Sequence, residues 1–457
     1  MPVSNVVLVT VDSLRYDRAL DSPRAVDPAP NLSQLASDGI SFTDAYANGP
    51  NTPSSFPTIL TSTHPMMYGG YRYLDERRPF VSATLRNAGL TTVGYHSNPH
   101  LGPEKNYNYG FDNFNDGAES EEDANTLKNF VDERVPSDSR LYALLRRVYH
   151  LFTMATDSSA YAKAPVITDR AIDWFDDTWD GEQPFFMWLH YMDVHYPFDP
   201  PERFMDELNL DSLSTRRTAD LNGKMQENPD ALSAQDREDL LALYDGEIRF
   251  TDHNIGRVLS ELERQGIRDE TMVLVTADHG EAFGEHDRYG HHPYLYDELL
   301  HVPLVMDVPG IEATTVDDLV SLIDLGPTIY DLLDIETPTA VQGRSLVPLL
   351  HGEEIGSADD SDDGIICTAA GGDYLAYRTE RWKFFWQISA NEAELYDLDA
   401  DPNETNDVVD EYLDVADRLR GHLRNHVESA EDTDTELPDV SESEEVKQRL
   451  EDLGYVD

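Results

Sequence analysis

Two apolar segments of this 457-residue chain are each followed by side chains that can bind a metal ion. Residues 6–11 lead directly into Asp12, and residues 272–275 are followed closely by Asp278 and His279. Runs of this length predict buried strands, and open α/β sheets bind ligands at the edge where parallel strands end. Carboxylates with one imidazole suit a hard or borderline divalent cation. We therefore predict one divalent ion at this edge, with Ca, Mg, Mn and Zn all left open.

A threonine near the N-terminus could supply a nucleophile to the same site. Thr52 and Pro53 precede the short helical pattern 56–60, and they fit a helix N-cap followed by proline at the first helical position. That reading is purely structural, but it also places a hydroxyl where backbone N–H groups favour an anion. If the cation at Asp12 and Asp278 also reaches Thr52, its hydroxyl loses its proton more easily and becomes a nucleophile.

These residues can meet only if a sheet brings them together, and the sequence pattern of the rest of the chain predicts such a sheet. Apolar runs of strand length alternate with helical patterns such as 160–179 and 240–265; the runs are 6–11, 91–95, 185–191, 272–276 and 302–308. This alternation predicts an α/β fold, with a mostly parallel central sheet flanked by helices on both faces.

Composition along the chain predicts how it divides. We expect a catalytic α/β domain over 1–357 that contains an insertion at 118–165, a possible lid over the site. A small α+β subdomain is expected over 364–427, because short strand patterns there precede a helical one. Residues 428–457 form an acidic tail with a short terminal helix at 446–453.

The chain is strongly acidic over its whole length. Its 34 basic and 89 acidic residues give a net charge of −55, and only six of the basic residues are lysine. This indicates a halophilic protein, because the Debye length falls to about 3 Å at 1 M salt and mutes the self-repulsion. The alternative is an ordinary acidic protein with disordered segments. Either way, a net-acidic surface argues against nucleic acid or anionic lipid as the main partner.

Cysteine content and hydropathy point to a cytoplasmic protein. Cys367 is the single cysteine, so no intrachain disulfide can form. The N-terminus enters a strand pattern without a basic segment and apolar core of the kind that signal peptides have. No apolar run is long enough for a transmembrane segment, since spanning takes about 18 apolar residues or more.

Further segments follow the two metal-binding motifs in a fixed order along the chain. They are 52–56 with 60–62, then 95–102, 185–197, 278–281, 290–291, 302–304, 324–328, 343–346, 378–383 and 395–404. This ordered set resembles the sulfatases, within the alkaline-phosphatase superfamily. Sulfatases carry Cys/Ser-x-Pro-Ser-Arg and then Leu-Thr-Gly. Here 52–56 falls on the first of these motifs, and 60–62 lies at the matching distance for the second. Residues 95–102 resemble their Gly-Lys-Trp-His-Leu-Gly segment, and 195–197 their His-x-Pro.

The resemblance implies a fold and a role for each matching residue. The fold would be alkaline-phosphatase/sulfatase-like, with a small C-terminal antiparallel sheet plus helix. The expected metal ligands are Asp12, Thr52, Asp278 and His279. The expected catalytic residues are Thr52 as nucleophile, with His195 or His291 protonating the leaving oxygen. The expected substrate-binding residues are Asn98, His100, His190 and Ser55, although His190 could instead be a buried, hydrogen-bonded histidine.

The departures from the sulfatase pattern bear on the substrate. Thr52 stands where sulfatases have the cysteine that they oxidise, so no formylglycine is expected. Phe56 replaces the motif arginine, Asn98 a lysine, and Ser13 a second acidic residue beside Asp12. A threonine nucleophile resembles those of the superfamily's nucleotide pyrophosphatases and phosphoglycerol transferases. We therefore expect a singly charged substrate, either a sulfate ester or a phosphodiester.

Together these features predict a haloarchaeal-type, metal-dependent hydrolase of small or polymer-linked sulfate or phosphate esters. A first alternative is a phosphoglycerol or phosphoryl transferase, which would make the same covalent intermediate and pass it to an alcohol. A second is a degenerate, non-catalytic member that binds an anion. The oligomeric state is left open.

Overall fold

The structure is a computed structural model that describes residues 3–117, 161–291, 293–353, 363–434, 437–438, 446–447 and 449–450. The predicted insertion falls almost wholly outside these residues, and so does most of the tail beyond residue 434. The lid and the terminal helix therefore stay predictions, as does the division into domains. No helix of the described residues is long and apolar enough to cross a membrane.

The strands form one large sheet and three small ones. In chain order they are β1 (Asn5–Val11), β2 (Ile40–Phe42), β3 (Ala45–Tyr46), β4 (Thr91–Tyr95), β5 (Asn113–Asn115), β6 (Phe185–Tyr191), β7 (Thr271–Ala277), β8 (Ala282–Phe283), β9 (Tyr289–Gly290), β10 (Leu304–Asp307), β11 (Thr314–Val316), β12 (Val320–Ser321), β13 (Ile365–Ala369), β14 (Tyr374–Arg378), β15 (Trp382–Gln387) and β16 (Glu392–Asp397). The large sheet has eight strands in the order β11-β2-β10-β7-β1-β6-β4-β5.

The middle of the large sheet is parallel and fully covered. β1 lies between β6 and β7 and runs parallel to both, so that Val9 pairs with Leu189 on one side and with Val275 on the other. Every residue of these three strands is buried. Since successive side chains point to opposite faces, complete burial requires that both faces be covered. The predicted α/β fold is confirmed.

One strand of this sheet differs from the sequence prediction. β10 runs antiparallel to both of its neighbours, β2 and β7, so the sheet is mixed. It is also shorter than the predicted run 302–308, since it covers Leu304–Asp307. Pro303 has no N–H to donate to a ladder, which gives a physical reason for the later start.

The helices cover the sheet. The α-helices of the described residues are α1 (Tyr16–Ala19), α2 (Pro30–Asp38), α3 (Thr52–Thr61), α4 (Val81–Asn87), α5 (Ala164–Asp177), α6 (Glu202–Glu207), α7 (Thr215–Glu227), α8 (Ala234–Gln265), α9 (Asp297–Leu300), α10 (Leu325–Leu332), α11 (Val347–Leu350) and α12 (Leu413–Asp432). The long helix α8 begins at Ala234 instead of the predicted residue 240, because Ser233 and Asp236 form a reciprocal capping box. That box is visible in the sequence, but apolar periodicity alone misses it.

The C-terminal part carries the predicted small antiparallel sheet. Its strands lie in the order β13-β14-β15-β16, and α12 packs against β14 and β15. The buried ammonium of Lys383 on β15 contacts Asp297 at 2.5 Å and Glu404 at 2.6 Å. Asp297 begins α9, so this ion cluster joins the small sheet to the segment that follows β9.

Candidate active site

The site begins where β1 ends. Asp12 is completely buried, and its Oδ2 accepts hydrogen bonds from the Thr52 hydroxyl at 3.3 Å and from Asn98 Nδ2 at 3.0 Å. Ser13 adopts a left-handed conformation with φ 60°. This lets its hydroxyl donate to Asp12 Oδ1 at 3.0 Å, while its N–H donates to Asp278 Oδ1 at 3.3 Å. The turn after β1 therefore holds two carboxylates side by side.

The neighbouring strand β7 delivers the second pair of predicted ligands. His279 Nδ1 lies 2.8 Å from the carbonyl oxygen of Gly280, which can only accept, so Nδ1 carries the proton. The lone pair of His279 is therefore on Nε2, which lies 3.5 Å from Asp12 Oδ1 and 3.6 Å from Asp278 Oδ2. Asp12, Asp278, His279 and Thr52 come together as predicted.

These residues fit a divalent cation. Asp278 Oδ2, His279 Nε2 and His190 Nε2 are buried, and among the described residues they have no hydrogen-bond partner. Buried polar atoms are rarely left in this condition, so three of them in one cluster indicate a missing partner. Burial, and then the neighbouring charge of Asp12, raise the pKa of Asp278. A bound cation would relieve both effects.

The electrostatics of Asp12 differ from those of Asp278. Burial opposes the ionisation of Asp12, but the nearby imidazoles of His195, His190 and His279 outweigh it and lower its pKa. One carboxylate of the pair is therefore ionised more easily than the other, as expected for like charges that share a buried site.

Thr52 is in the site, but it does not cap its helix. The N-cap of α3 is Asn51, whose side chain accepts from the Ser54 N–H at 3.2 Å. Thr52 is the first helical residue and Pro53 the second, so the sequence prediction was wrong by one position. Asn is as good a cap as Thr, and proline is tolerated throughout the first turn, where backbone N–H groups have no helical partner. The Thr52 hydroxyl is thus directed at Asp12.

Ser55 connects the helix to the sheet. Its hydroxyl donates to the carbonyl oxygen of Asp278 at 2.6 Å. A hydroxyl has one proton, so Ser55 cannot at the same time donate to an anionic ester in this arrangement. Its predicted contact with substrate stays a prediction, while its contact with β7 fixes α3 against the site.

Asn98 and His100 lie at the end of β4. The Asn98 amide donates to Asp12 and lies 3.4 Å from the Thr52 hydroxyl, while its oxygen accepts from the His100 N–H at 2.8 Å. Burial, and then the ammonium of Lys105, lower the pKa of His100. Lys105 Nζ lies 3.4 Å from His100 Nδ1. Sequence reasoning missed Lys105, although lysine is rare in this chain.

His195 and His291 approach the same cluster. Their ring centroids are 4.8 Å apart, and that of His291 is 4.7 Å from that of His279. Glu281 lies 3.3 Å from His291 Nδ1. Burial opposes protonation of His291, but the charge of Glu281 outweighs it and raises the pKa of the imidazole. Sequence reasoning missed this contact of Glu281, although the residue lies in the segment 278–281.

His190 lies on the buried side of the cluster. Its Nε2 is 3.4 Å from Asp12 Oδ2, and its Nδ1 is 2.9 Å from the Thr10 hydroxyl. The ring of Phe56 meets it edge to face at 5.0 Å. Phe56 stands at the position of the motif arginine, and there it packs against the His190 imidazole.

Comparison with protein family models shows which family the chain belongs to. Residues 4–335 match the sulfatase family model. The chain belongs to the sulfatase family. Residues 284–430 also match the C-terminal model of N-sulphoglucosamine sulphohydrolase. The predicted resemblance is confirmed at the level of the family.

Individual relatives are distant but align over most of their length. An arylsulfatase of Clostridium perfringens is 25% identical, over 94% of this chain and 95% of that protein. A sulfatase of Escherichia coli is 26% identical, over 88% of this chain and 82% of that protein.

Solved structures show that the fold is shared. A protein in complex with its substrate D-glucosamine-2-N,6-O-disulfate has a TM-score of 0.70 at 19% identity, over 94% of this chain and 98% of that one. The phosphonate monoester hydrolase of Agrobacterium radiobacter has a TM-score of 0.69 at 21% identity, over 93% of this chain and 96% of that one.

Proposed function

We propose that this sulfatase-family enzyme is a metal-dependent hydrolase of sulfate or phosphate esters that works through a covalent intermediate on Thr52. One observation supports the proposal above all: the Thr52 hydroxyl lies 3.3 Å from Asp12 Oδ2, beside a buried cluster that fits a cation. Asp12, Asp278, His279 and Thr52 would hold the ion. When bound, it would supply positive charge that lowers the pKa of a hydroxyl and neutralises charge in the transition state.

In the first step, the Thr52 hydroxyl loses its proton to solvent water, and its oxygen forms a bond to sulfur or phosphorus while the bond to the leaving oxygen breaks in line. Asn98 donates a hydrogen bond to Asp12 and lies beside the attacking oxygen. The His291 imidazole, whose pKa is raised by the charge of Glu281, gives its proton to the leaving oxygen. His195 packs against His291 and is the second candidate for this proton transfer.

In the second step, water replaces Thr52. The attacking water loses a proton to the imidazole that protonated the leaving group. The bond from the Thr52 oxygen to sulfur or phosphorus breaks, and this oxygen takes a proton from solvent water to become a hydroxyl again. A threonine ester has no route to eliminate sulfate, as a formylglycine hydrate does, so it must be hydrolysed directly. This favours phosphodiesters and phosphonate monoesters beside sulfate esters, and the solved phosphonate monoester hydrolase has the same fold.

Two other functions remain as alternatives. A transferase would carry out the same first step and hand the group to an alcohol in place of water. A degenerate binder would hold the anion without turnover. Retention of Asp12, Thr52, Asp278 and His279 in one buried cluster favours an enzyme over a binder.

A substrate panel tests the proposal. Aryl sulfate, phosphodiester, phosphonate monoester and phosphate monoester substrates are compared at molar salt, with Ca, Mg, Mn or Zn added to metal-free protein. We expect turnover that needs metal, and mass spectrometry of quenched reactions should find a sulfo or phospho group on the peptide with Thr52. Binding of sulfate or phosphate without any turnover would support the binder, and turnover only with an added alcohol would support the transferase.

A further inference from the structure

His190 stands close enough to both carboxylates to share an ion with them. It is completely buried, and its Nε2 lies 3.4 Å from Asp12 Oδ2. Ligand atoms of Asp12, His190 and Asp278 all lie within 4.8 Å of one another. Two ligands of one ion are separated by at most about 5 Å, twice the longest usual metal–ligand distance. The three side chains therefore meet the distance requirement.

The hydrogen bonds of Thr10 indicate which nitrogen of His190 carries the proton. The Thr10 hydroxyl accepts from Trp188 Nε1 at 3.0 Å and can donate to the carbonyl oxygen of Leu189 at 3.4 Å. Its second lone pair is then available to accept a proton from His190 Nδ1 at 2.9 Å. In this pattern every group of Thr10 is used, and the lone pair of His190 is on Nε2.

The opposite tautomer of His190, with the proton on Nε2, has poorer hydrogen bonding. With the proton on Nε2, His190 would have to donate to Asp12, yet Nε2 makes no hydrogen bond among the described residues. A ligating histidine usually donates its other N–H to an oxygen that fixes the ring. Thr10 has this relation to His190, just as the carbonyl of Gly280 has it to His279.

The turn after β1 supplies one carboxylate to the site, that of Asp12. The next residue, Ser13, has a hydroxyl in place of a carboxylate, and its hydroxyl and N–H hold Asp12 and Asp278 in place. Asp12 presents different oxygens to the two imidazoles, Oδ2 to His190 and Oδ1 to His279. His279 Nε2 lies 3.5 Å and 3.6 Å from the same two carboxylates, so an ion that it shared with His190 would have two imidazole ligands. Two imidazoles would favour a borderline cation over Ca²⁺ or Mg²⁺, which prefer oxygen ligands.

We propose that His190 is a metal ligand, held in the ligating orientation by Thr10, and that it makes the site selective for Zn²⁺ over Ca²⁺ and Mg²⁺. This inference rests on the proposed function, since it concerns the same ion. It assigns His190 to the metal in place of the substrate.

The test measures metal affinity and does not depend on turnover. Metal-free full-length protein is titrated with Zn²⁺, Mn²⁺, Ca²⁺ and Mg²⁺ by calorimetry in molar KCl. His190→Asn places an amide near the Nδ1 position, so it can still reach Thr10 while the atom that faces Asp12 is lost. We expect the Zn²⁺ affinity of His190→Asn to fall by more than about 100-fold, and Thr10→Val to lower Zn²⁺ affinity about tenfold through the loss of orientation.

His96→Asn is the matched control. His96 is also completely buried and stacks on Trp188, with ring centroids 5.4 Å apart against 6.2 Å for His190. The substitution His96→Asn removes the same atoms as His190→Asn from a neighbouring place in the core. His96 does not belong to the cluster with Asp12 and Asp278. Its metal affinity should stay within about threefold of wild type. Circular dichroism verifies that each variant folds.

The outcomes separate this inference from the proposed function. If Asp12→Asn loses the ion and His190→Asn keeps wild-type affinity and preference, the metal site stands and the role of His190 is overturned. If the wild type binds none of the four ions, both proposals fall. If His190→Asn does not fold, pulsed EPR of the Mn²⁺-loaded wild type decides. Couplings to two imidazole nitrogens support the inference, and coupling to only one overturns it.

Discussion

At the scale of the residue, the proposed nucleophile and the cap of its helix are two neighbouring side chains. Asn51 caps α3, and Thr52 is left to face Asp12. A substitution at Thr52 can therefore remove the nucleophile without removing the cap. This separation makes the proposed mechanism easier to test than the sequence alone indicated, where one residue was expected to do both.

We predict that Thr52→Ala lowers kcat by several powers of ten, because the oxygen that attacks the ester is gone, while Thr52→Ser retains part of it. Unfolding by urea should show little change for either variant. Asn51→Ala is the matched comparison, and loss of the cap should lower its free energy of unfolding by about 1 kcal/mol. Near-normal turnover in folded Thr52→Ala would move the nucleophile elsewhere, with Ser54 the next candidate.

Residue types and spacing predicted the cluster of Asp12, Thr52, Asp278 and His279, because each follows a strand or begins a helix at one edge of the sheet. The same reasoning could not find Lys105 or give Glu281 its contact with His291. Those contacts depend on how loops fold back after β4 and β7, which no local pattern encodes. The orientation of His190 depends on Thr10 of a different strand, and pairing between strands is equally hidden.

At the scale of the element, α2 depends on a cap that comes from another helix. Its own N-cap residue, Ala29, has no side chain that can accept a hydrogen bond. Asp252 of α8 does so instead, accepting from the N–H groups of Asn31 at 3.1 Å and Leu32 at 2.9 Å. Burial raises the pKa of Asp252 to about 6, despite these hydrogen bonds.

This cap predicts a pH dependence of stability. The pKa of Asp252 is higher in the folded state than in the unfolded state, so the unfolded chain loses this proton first as pH rises. Protonated Asp252 therefore contributes roughly 3 kcal/mol to the free energy of unfolding. This contribution is complete below pH 4 and is lost as pH rises through about 6. Asp252→Asn cannot titrate, so its free energy of unfolding should fall less between pH 4 and 7. An unchanged slope in urea titrations would contradict the assignment.

Strand positions were well predicted where apolar runs are continuous, as in β1, β4, β6 and β7. Helix boundaries were less accurate. The start of α8 is set by a polar capping box and not by apolar periodicity, and the cap of α3 lies one residue before the expected one. In the C-terminal part, strand patterns are recognisable at 374–379, 382–387 and 394–398, but β13 was missed, since its short run follows an acidic stretch that reads as a linker.

At the scale of the whole molecule, the net charge of −55 is expected to govern how stability depends on salt. We predict that the fold requires molar salt, because repulsion among surface carboxylates is screened only when the Debye length falls to about 3 Å. Melting curves in low and molar KCl should show a higher Tm at molar salt. Equal or greater stability at low salt would rule out the halophilic interpretation, and a parallel series in sucrose controls for general solvent exclusion.

The ion cluster at Lys383 gives a second prediction at this scale. Lys383→Met removes the positive partner from Asp297 and Glu404 while keeping most of the side-chain volume. Breaking a buried pair in this way typically costs about 3–5 kcal/mol. Denaturant unfolding should show the loss, whereas Lys224→Met, whose ammonium is half-buried and lies 2.9 Å from the exposed Asp220 and 3.7 Å from Asp236, should cost less than about 1 kcal/mol. Similar losses in the two variants would contradict a structural role for the cluster.

The contact of Lys383 with Asp297 also limits how this protein can be shortened or recombined. Asp297 follows the segment that carries His291, and the positive charge beside it comes from the far C-terminal sheet. A gene fragment that ends before residue 365 would encode the catalytic groups but leave Asp297 without the lysine. Shuffling the two parts between relatives would need a matching acid and base on either side of the junction. The small sheet and the large one are therefore expected to be inherited as a pair.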